Sequence, residues 1–240
     1  KRYGHLSTGN YNPRTARLYT DLSYLTADPL LTADMEHLFV HIASQSHLPR
    51  MNRLLLAPFS LHRKMIAKTA ALGRLALAGK DARIVVKINA LTDEALIQAL
   101  MAAGQQGVKI DLLVRGACML PAGLPGLTDN IRVRSVIGRF LEHSRVFYFR
   151  GDGLEELYLS SADWMNRNML RRIELAWPVT DPALRQRIVD ECLVAYLHDG
   201  RDAWDMGPDG LYRPVNAAAK PAGHGAQAAL MARYAAPESI

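Results

Sequence analysis

The chain has 240 residues, 49% hydrophobic and 22% charged, an ordinary globular balance with enough apolar material for a large core. A formal net charge of +6 points toward a polyanionic partner, and no apolar run approaches the length of a membrane span. Cys118 and Cys192 lie far apart without Cys-x-x-Cys spacing, which excludes a disulfide framework or zinc site and reads as buried free thiols in a reducing compartment.

Lys1 to Asn10 reads as the middle of a domain, so the sequence is expected to be part of a longer polypeptide. Asp28-Pro29, a capping side chain followed by proline at the first helical position, predicts a helix over 30–43, and a second helix is expected over 59–79. "ARIVVKI" (82–88) is Val/Ile-rich and strand-like. The stretch 91–104 predicts a helix with Thr92 as N-cap, Leu96, Ile97, Leu100 and Met101 on one face, and Gly104 as its stop. With "VKIDLLV" (108–114) behind it, the three form a βαβ unit whose strands should be parallel. Further strands are expected over 131–137, 144–149, 156–161 and 172–178, with a turn at "RGDGLE". Asp181-Pro182 caps a helix over 182–198. Beyond residue 213 the chain turns Pro/Gly/Ala-rich and reads as a linker ending in a short helix at 226–235.

Residues 7–31 and 160–184 align without a gap at an offset of 153. The offset carries Arg14 to Arg167, Leu22 to Leu175, Asp28 to Asp181, Pro29 to Pro182 and Leu31 to Leu184. Near-matches include Tyr11 with Trp164, Asp21 with Glu174 and Tyr24 with Trp177. The fold is therefore expected to be α/β, the end of one copy (1–55) followed by a complete second copy (56–212), with 213–240 as linker and terminal helix.

The repeat indicates where chemistry should lie. His143 and Arg145 in "GRFLEHSRVFYF" are two apart, so on a strand both leave by one face, a titratable base beside a permanent cation. Asn10 and Asp163 follow small residues at strand ends and are suited to orienting an imidazole, with Ser161 close by. Arg115 follows a parallel strand at the carboxyl edge, where open α/β sheets bind ligands. Lys87 and Asn89 close the neighbouring strand, and Arg14, Arg17, Arg167, Arg171 and Arg172 are candidate phosphate clamps. Each of these residues also has a plain reading as a polar turn or a solvated surface group. No Walker loop, zinc-finger spacing, Gly-x-Ser-x-Gly elbow or dinucleotide fingerprint is present.

The stretches "STGNYNPRTARLYTDLSYLTADP", "VKINALTD", "LLVRGACMLPAG", "IRVRSVIGRFLEHSRVFYF" and "LYLSSADWMNRNMLRRIELAWPV" resemble the carboxyl-terminal half of the bacterial long-chain polyphosphate kinases, the type that uses a phosphohistidine. The resemblance runs from Tyr3 to about Arg187 and is weaker at "LLLAPFSLHRKMI" and after Tyr212. It implies a phospholipase D-like mixed sheet flanked by helices, agreeing with the duplication. It further implies transfer of the terminal phosphate of ATP to a histidine and then to a growing polyphosphate chain, with ATP/ADP and polyphosphate as partners. Tyr19, Arg115 and His143 fall on the family's nucleotide-binding positions, with His143 assigned a catalytic part and Arg145 beside it on the phosphates. The phosphorylated histidine and the Mg²⁺-binding positions are expected before Lys1, so no metal ligand is assigned within the chain and this chain alone is expected to be inactive. Nucleic acid is not an expected partner. The full-length enzyme is expected to be a cytoplasmic homo-oligomer, with peripheral membrane association left open. Two other classes remain: a phospholipase D-like phosphodiesterase or nuclease, which would carry Lys in place of Arg145, and a non-catalytic polyanion-binding module.

Overall fold

The structure, a computed structural model, describes residues 1–215 and 225–235. Most of the linker read after residue 213 lies outside the described residues. In chain order the elements are β1 (Gly4–Ser7), a 3₁₀ turn (Thr15–Arg17), β2 (Tyr19–Thr20), β3 (Ser23–Thr26), α1 (Pro29–Ser44), β4 (Leu55–Ala57), α2 (Leu61–Leu77), β5 (Ala82–Ile88) and α3 (Glu94–Gln105). There follow β6 (Lys109–Val114), β7 (Ile131–Val136), β8 (Leu141–Glu142), β9 (Arg145–Gly151), β10 (Leu154–Ser160), α4 (Asn166–Leu170) and β11 (Glu174–Pro178). The chain continues through α5 (Pro182–Ile188), a π-type turn (Val189–Val194), α6 (Ala195–Leu197), β12 (Ala203–Met206), β13 (Tyr212–Pro214) and α7 (Ala226–Ala235).

Among the described residues nine strands form one mixed sheet, ordered β13-β12-β7-β6-β5-β9-β10-β11-β4. β5 pairs parallel with β6 and β6 with β7, as the βαβ reading requires, while β9, β10 and β11 run antiparallel. Alternation along the strands splits the core into two layers. Ile84, Val86, Ile88, Phe147 and Phe149 face α2 and α3, whereas Val85, Val146, Tyr148 and Trp177 face the opposite cluster with Leu193 and Tyr196. Burial on both faces explains why these strands read as nearly continuous apolar runs.

The internal repeat is present in the register itself. β1 pairs with β3 through Leu6↔Tyr24 and Ser7↔Ser23, and β10 pairs with β11 through Leu159↔Trp177 and Ser160↔Ala176, each pair displaced by 153. The hydrogen bonds around the strand ends repeat as well. Thr8 Oγ1 donates to Asp21 and accepts from Leu22 N, just as Ser161 Oγ donates to Glu174 and accepts from Leu175 N. Asp28 caps α1 at Leu31 N and Asp181 caps α5 at Leu184 N.

Several expectations are corrected, among them Gly104 as the stop of α3, since it lies inside a helix that runs to Gln105. Asp93, not Thr92, caps α3 with its side chain, because the Thr92 and Asp93 amides are both taken by Trp164 O. The helix expected over 182–198 is interrupted by the π-type turn at Val189–Val194. The short strand β12 and the edge strand β13 occupy positions not read as strands. Cys118 and Cys192 are free and only half-buried.

Candidate phosphate-binding site

The site lies along the sheet edge where β5 and β6 end and β9 begins. Arg145, the first residue of β9, pairs in register with Ser160 at the end of β10, and Asp163 stands three residues further on. Their side chains are only 8% and 9% exposed and form a two-pronged ion pair, Nε to Oδ1 at 3.3 Å and Nη2 to Oδ2 at 3.0 Å. In a buried pair of this geometry each charge is compensated by the other and by hydrogen bonds. Asp163 also accepts from the Asn89 backbone N–H at 2.7 Å. Asn89 Oδ1 in turn accepts from Arg115 Nη2 at 3.1 Å, and Arg115 Nε donates to Glu142 O at 2.7 Å. Gly116 is required beside Arg115, since a Cβ there would sit 2.8 Å from Asn89 O.

His143 stands between β8 and β9 with its side chain 12% exposed. Its Nδ1 lies 2.9 Å from both carboxylate oxygens of Asp21, which is itself anchored by Thr8 Oγ1 at 2.8 Å. A proton on Nδ1 donated to Asp21 orients the ring. Arg145 Nη1 is 3.2 Å from Nε2 and 3.3 Å from Nδ1, so the guanidinium lies against the ring as a whole, and the Tyr19 ring stands 4.9 Å from the imidazole at 43°. Gly9 closes against the same carboxylate: a Cβ there would lie 2.2 Å from Asp21 Oδ2.

Behind this layer Lys87 Nζ pairs with Glu142 Oε2 at 2.7 Å, both nearly inaccessible, and sits 3.5 Å over the Tyr196 ring. Thr20, Tyr196 and Gln227 also donate to Glu142. Burial by itself raises the Glu142 carboxyl, but the charge and hydrogen bond of Lys87, with the Gln227 and Thr20 hydrogen bonds, outweigh it and hold the group below its ordinary value. Burial, with Glu142 beside it, pushes the Tyr196 phenol well up.

The structure thus brings Tyr19, Arg115, His143, Arg145 and Asp163 into one contiguous network. The expected orienting partners of His143 are replaced. Asp163 is committed to Arg145, and Ser161 is turned onto Glu174, so Asp21 from the first repeat holds the imidazole instead. Asn10, Arg14 and Arg17 are exposed on the segment leading into β2, and Arg167, Arg171 and Arg172 are exposed around α4. Asp21 and Glu142 were not singled out as site residues. The match of Asp21 with Glu174 in the repeat was the available signal for the first, and Glu142 had none.

No group of three or more His, Cys, Asp or Glu side chains among the described residues could hold a metal ion. The carboxylates around the site, Asp21, Asp163 and Glu142, are already bonded to His143, Arg145 and Lys87. The residues present therefore do not fit a Mg²⁺ centre.

Guanidinium groups, an imidazole hydrogen-bonded to a carboxylate and a neighbouring aromatic ring stand together along one sheet edge. The sequence model described as "Polyphosphate kinase C-terminal domain 2" matches residues 54–227, and "Polyphosphate kinase C-terminal domain 1" matches 1–48. The chain belongs to the polyphosphate kinase family. It is 50% identical over 213 residues to the polyphosphate kinase of Burkholderia ambifaria, covering 89% of this chain and 31% of that protein. Against the polyphosphate kinase of Xylella fastidiosa it is 46% identical over 231 residues, covering 96% of this chain and 33% of that one. The crystal structure of polyphosphate kinase from Porphyromonas gingivalis superimposes with a TM-score of 0.88 at 38% identity, covering 97% of this chain and 35% of that chain. The chain thus spans about a third of the length of these relatives. Among the described residues no helix is long and apolar enough to cross a membrane.

Proposed function

We propose that this chain is the carboxyl-terminal part of an ATP:polyphosphate phosphotransferase, and that Tyr19, Arg115, His143 and Arg145 form one wall of its nucleotide and phosphate site. The observation that carries the reading is His143 held between the Asp21 carboxylate and the Arg145 guanidinium, in a chain of this family. In the reaction so proposed, a histidine nitrogen lone pair attacks the terminal phosphorus of ATP and the bond to the ADP oxygen breaks. A terminal oxygen of polyphosphate then displaces the histidine, extending the chain by one unit. Covalent transfer splits an exchange between two polyanions into two easier steps. The transition states are loose, so positioning and cationic stabilisation carry most of the catalysis.

Arg115 supplies a guanidinium to the phosphates, and Tyr19 presents a ring with little rotamer entropy to lose. His143, with Nδ1 on Asp21, presents Nε2 as phosphate ligand or proton carrier. In the repeat frame its counterpart, 143 minus 153, precedes Lys1, and that counterpart is the proposed phosphoryl carrier. Asn10, Arg14 and Arg17 extend the wall toward that half, and Asp163 supports Arg145 from behind, while Ser161 holds the end of β10 through Glu174 and Leu175. Mg²⁺ belongs with ATP in this reading, with ligands outside this chain. The full-length protein is proposed to be cytoplasmic and homo-oligomeric, and its function not to involve nucleic acid.

The test is labelling with ATP carrying isotope on its terminal phosphate. The full-length polypeptide should form an acid-labile phosphoprotein and the chain of 240 residues should not. Label on His143 itself would overturn the assignment of roles.

A further inference from the structure

A second concentration of positive charge lies away from His143. The end of α1, the connecting segment 45–54 and the start of α2 enclose a cavity of about 770 Å³. Arg50, Arg53, Arg63 and Lys64 line it together with His47, and no Asp or Glu does. All four cations are exposed, and none has an ion-pair partner among the described residues. Lys68, one turn beyond Lys64, shows the contrast, being paired with Glu156 at 2.7 Å. The neighbouring strand β4 is three places from β9 in the sheet order, on the order of 14 Å from the His143 edge at the usual strand spacing.

Like charges gathered around one concavity repel one another, and the arrangement becomes favourable when an anion occupies it. The volume suits a small ligand. A single phosphate would engage one or two of these cations. A linear oligophosphate carries charge on every unit and can meet them in series, with the three guanidiniums each able to fork onto phosphate oxygens. We propose that this cavity is a second binding site for an oligophosphate chain, separate from the His143 wall. The inference rests on the proposed function for its ligand. Its consequence there is retention of the growing chain between additions, and therefore longer products.

The experiment measures binding of tripolyphosphate and of long-chain polyphosphate to the full chain, with orthophosphate and acidic-lipid vesicles as comparison probes. The variants are Arg53→Ser/Arg63→Ser/Lys64→Ser and, separately, Arg115→Ala. Affinity should rise with phosphate chain length. The triple variant, with an unchanged thermal midpoint, should bind the long chain roughly tenfold more weakly, the scale expected when three solvent-screened cations are removed together. Arg115→Ala should leave that component in place while weakening ATP binding. Unchanged long-chain affinity in the folded triple variant overturns the inference, and so does vesicle binding without any binding of tripolyphosphate. Loss of polyphosphate binding in Arg115→Ala alone would also overturn it while leaving the proposed function standing. Failure of ATP to bind through Arg115 would count against the function instead.

Discussion

Asp21 and His143, 122 positions apart, meet through Nδ1 and both carboxylate oxygens at 2.9 Å. The contact joins the first repeat to the second. The parallel pairing of β2 with β8, Tyr19↔Leu141 and Thr20↔Glu142, brings the two residues together.

Gly9 is a sensitive position for this contact, because a Cβ would collide with the Asp21 carboxylate. Gly9→Ala should displace Asp21 and release the imidazole. In the full-length polypeptide the expected result is a fall in phosphoryl transfer of roughly 10–100-fold, since small misplacements at a reacting site cost on that scale. Circular dichroism should be unchanged. Wild-type activity in Gly9→Ala would show that Asp21 does not orient His143.

Arg145→Ala should behave differently, because it strands the Asp163 carboxylate in a buried setting. Loss of one partner of such a pair costs about 3–5 kcal/mol. Denaturant unfolding should show this loss, and an equally stable variant would mean that the pair is solvated in solution.

Gln227 links α7 to the site, donating to Phe140 O and to Glu142, and accepting from Phe140 N. Gln227→Ala leaves these buried groups short of partners and should cost about 1–3 kcal/mol. A change within experimental error would imply that α7 is not docked.

Glu142 makes the fold sensitive to acid. Its folded carboxyl is held below the ordinary value, so its contribution to stability is full above the usual carboxylate range and is lost as pH falls through the depressed folded value. Lys87→Met removes the main lowering influence and leaves the Gln227 and Thr20 hydrogen bonds against burial, so the Glu142 carboxyl rises. The variant should be less stable than the parent chain near neutral pH, and the gap should narrow as pH falls and Glu142 is protonated in both. Denaturant unfolding followed by tryptophan fluorescence at several pH values checks this, and a gap that widens in acid would contradict it.

The long interior strands were legible because burial on both faces leaves Val, Ile and aromatic runs that little else produces. The short strands β4, β12 and β13 have only three or four residues and carry no such run. The π-type turn is hidden because its residues are as apolar and helix-compatible as their neighbours. At the site, His143, Arg145, Arg115, Asp163 and Tyr19 stood out through strand ends, the repeat and the family resemblance. The pairing within the group was not legible, since Asp163 and Asp21 are both carboxylates at strand ends. Which one meets His143 depends on β2 crossing to β8 over more than a hundred residues.

His143 carries the proposed phosphoryl-transfer role most directly. In the full-length polypeptide, polyphosphate synthesis and the thermal midpoint should be measured on the same His143→Ala preparation. Synthesis should fall on the order of a hundredfold or more, as removal of an acid–base or phosphate-contacting group implies, with the midpoint nearly unchanged. Turnover at the parental rate, or a loss no larger than the loss of folded protein, would contradict it.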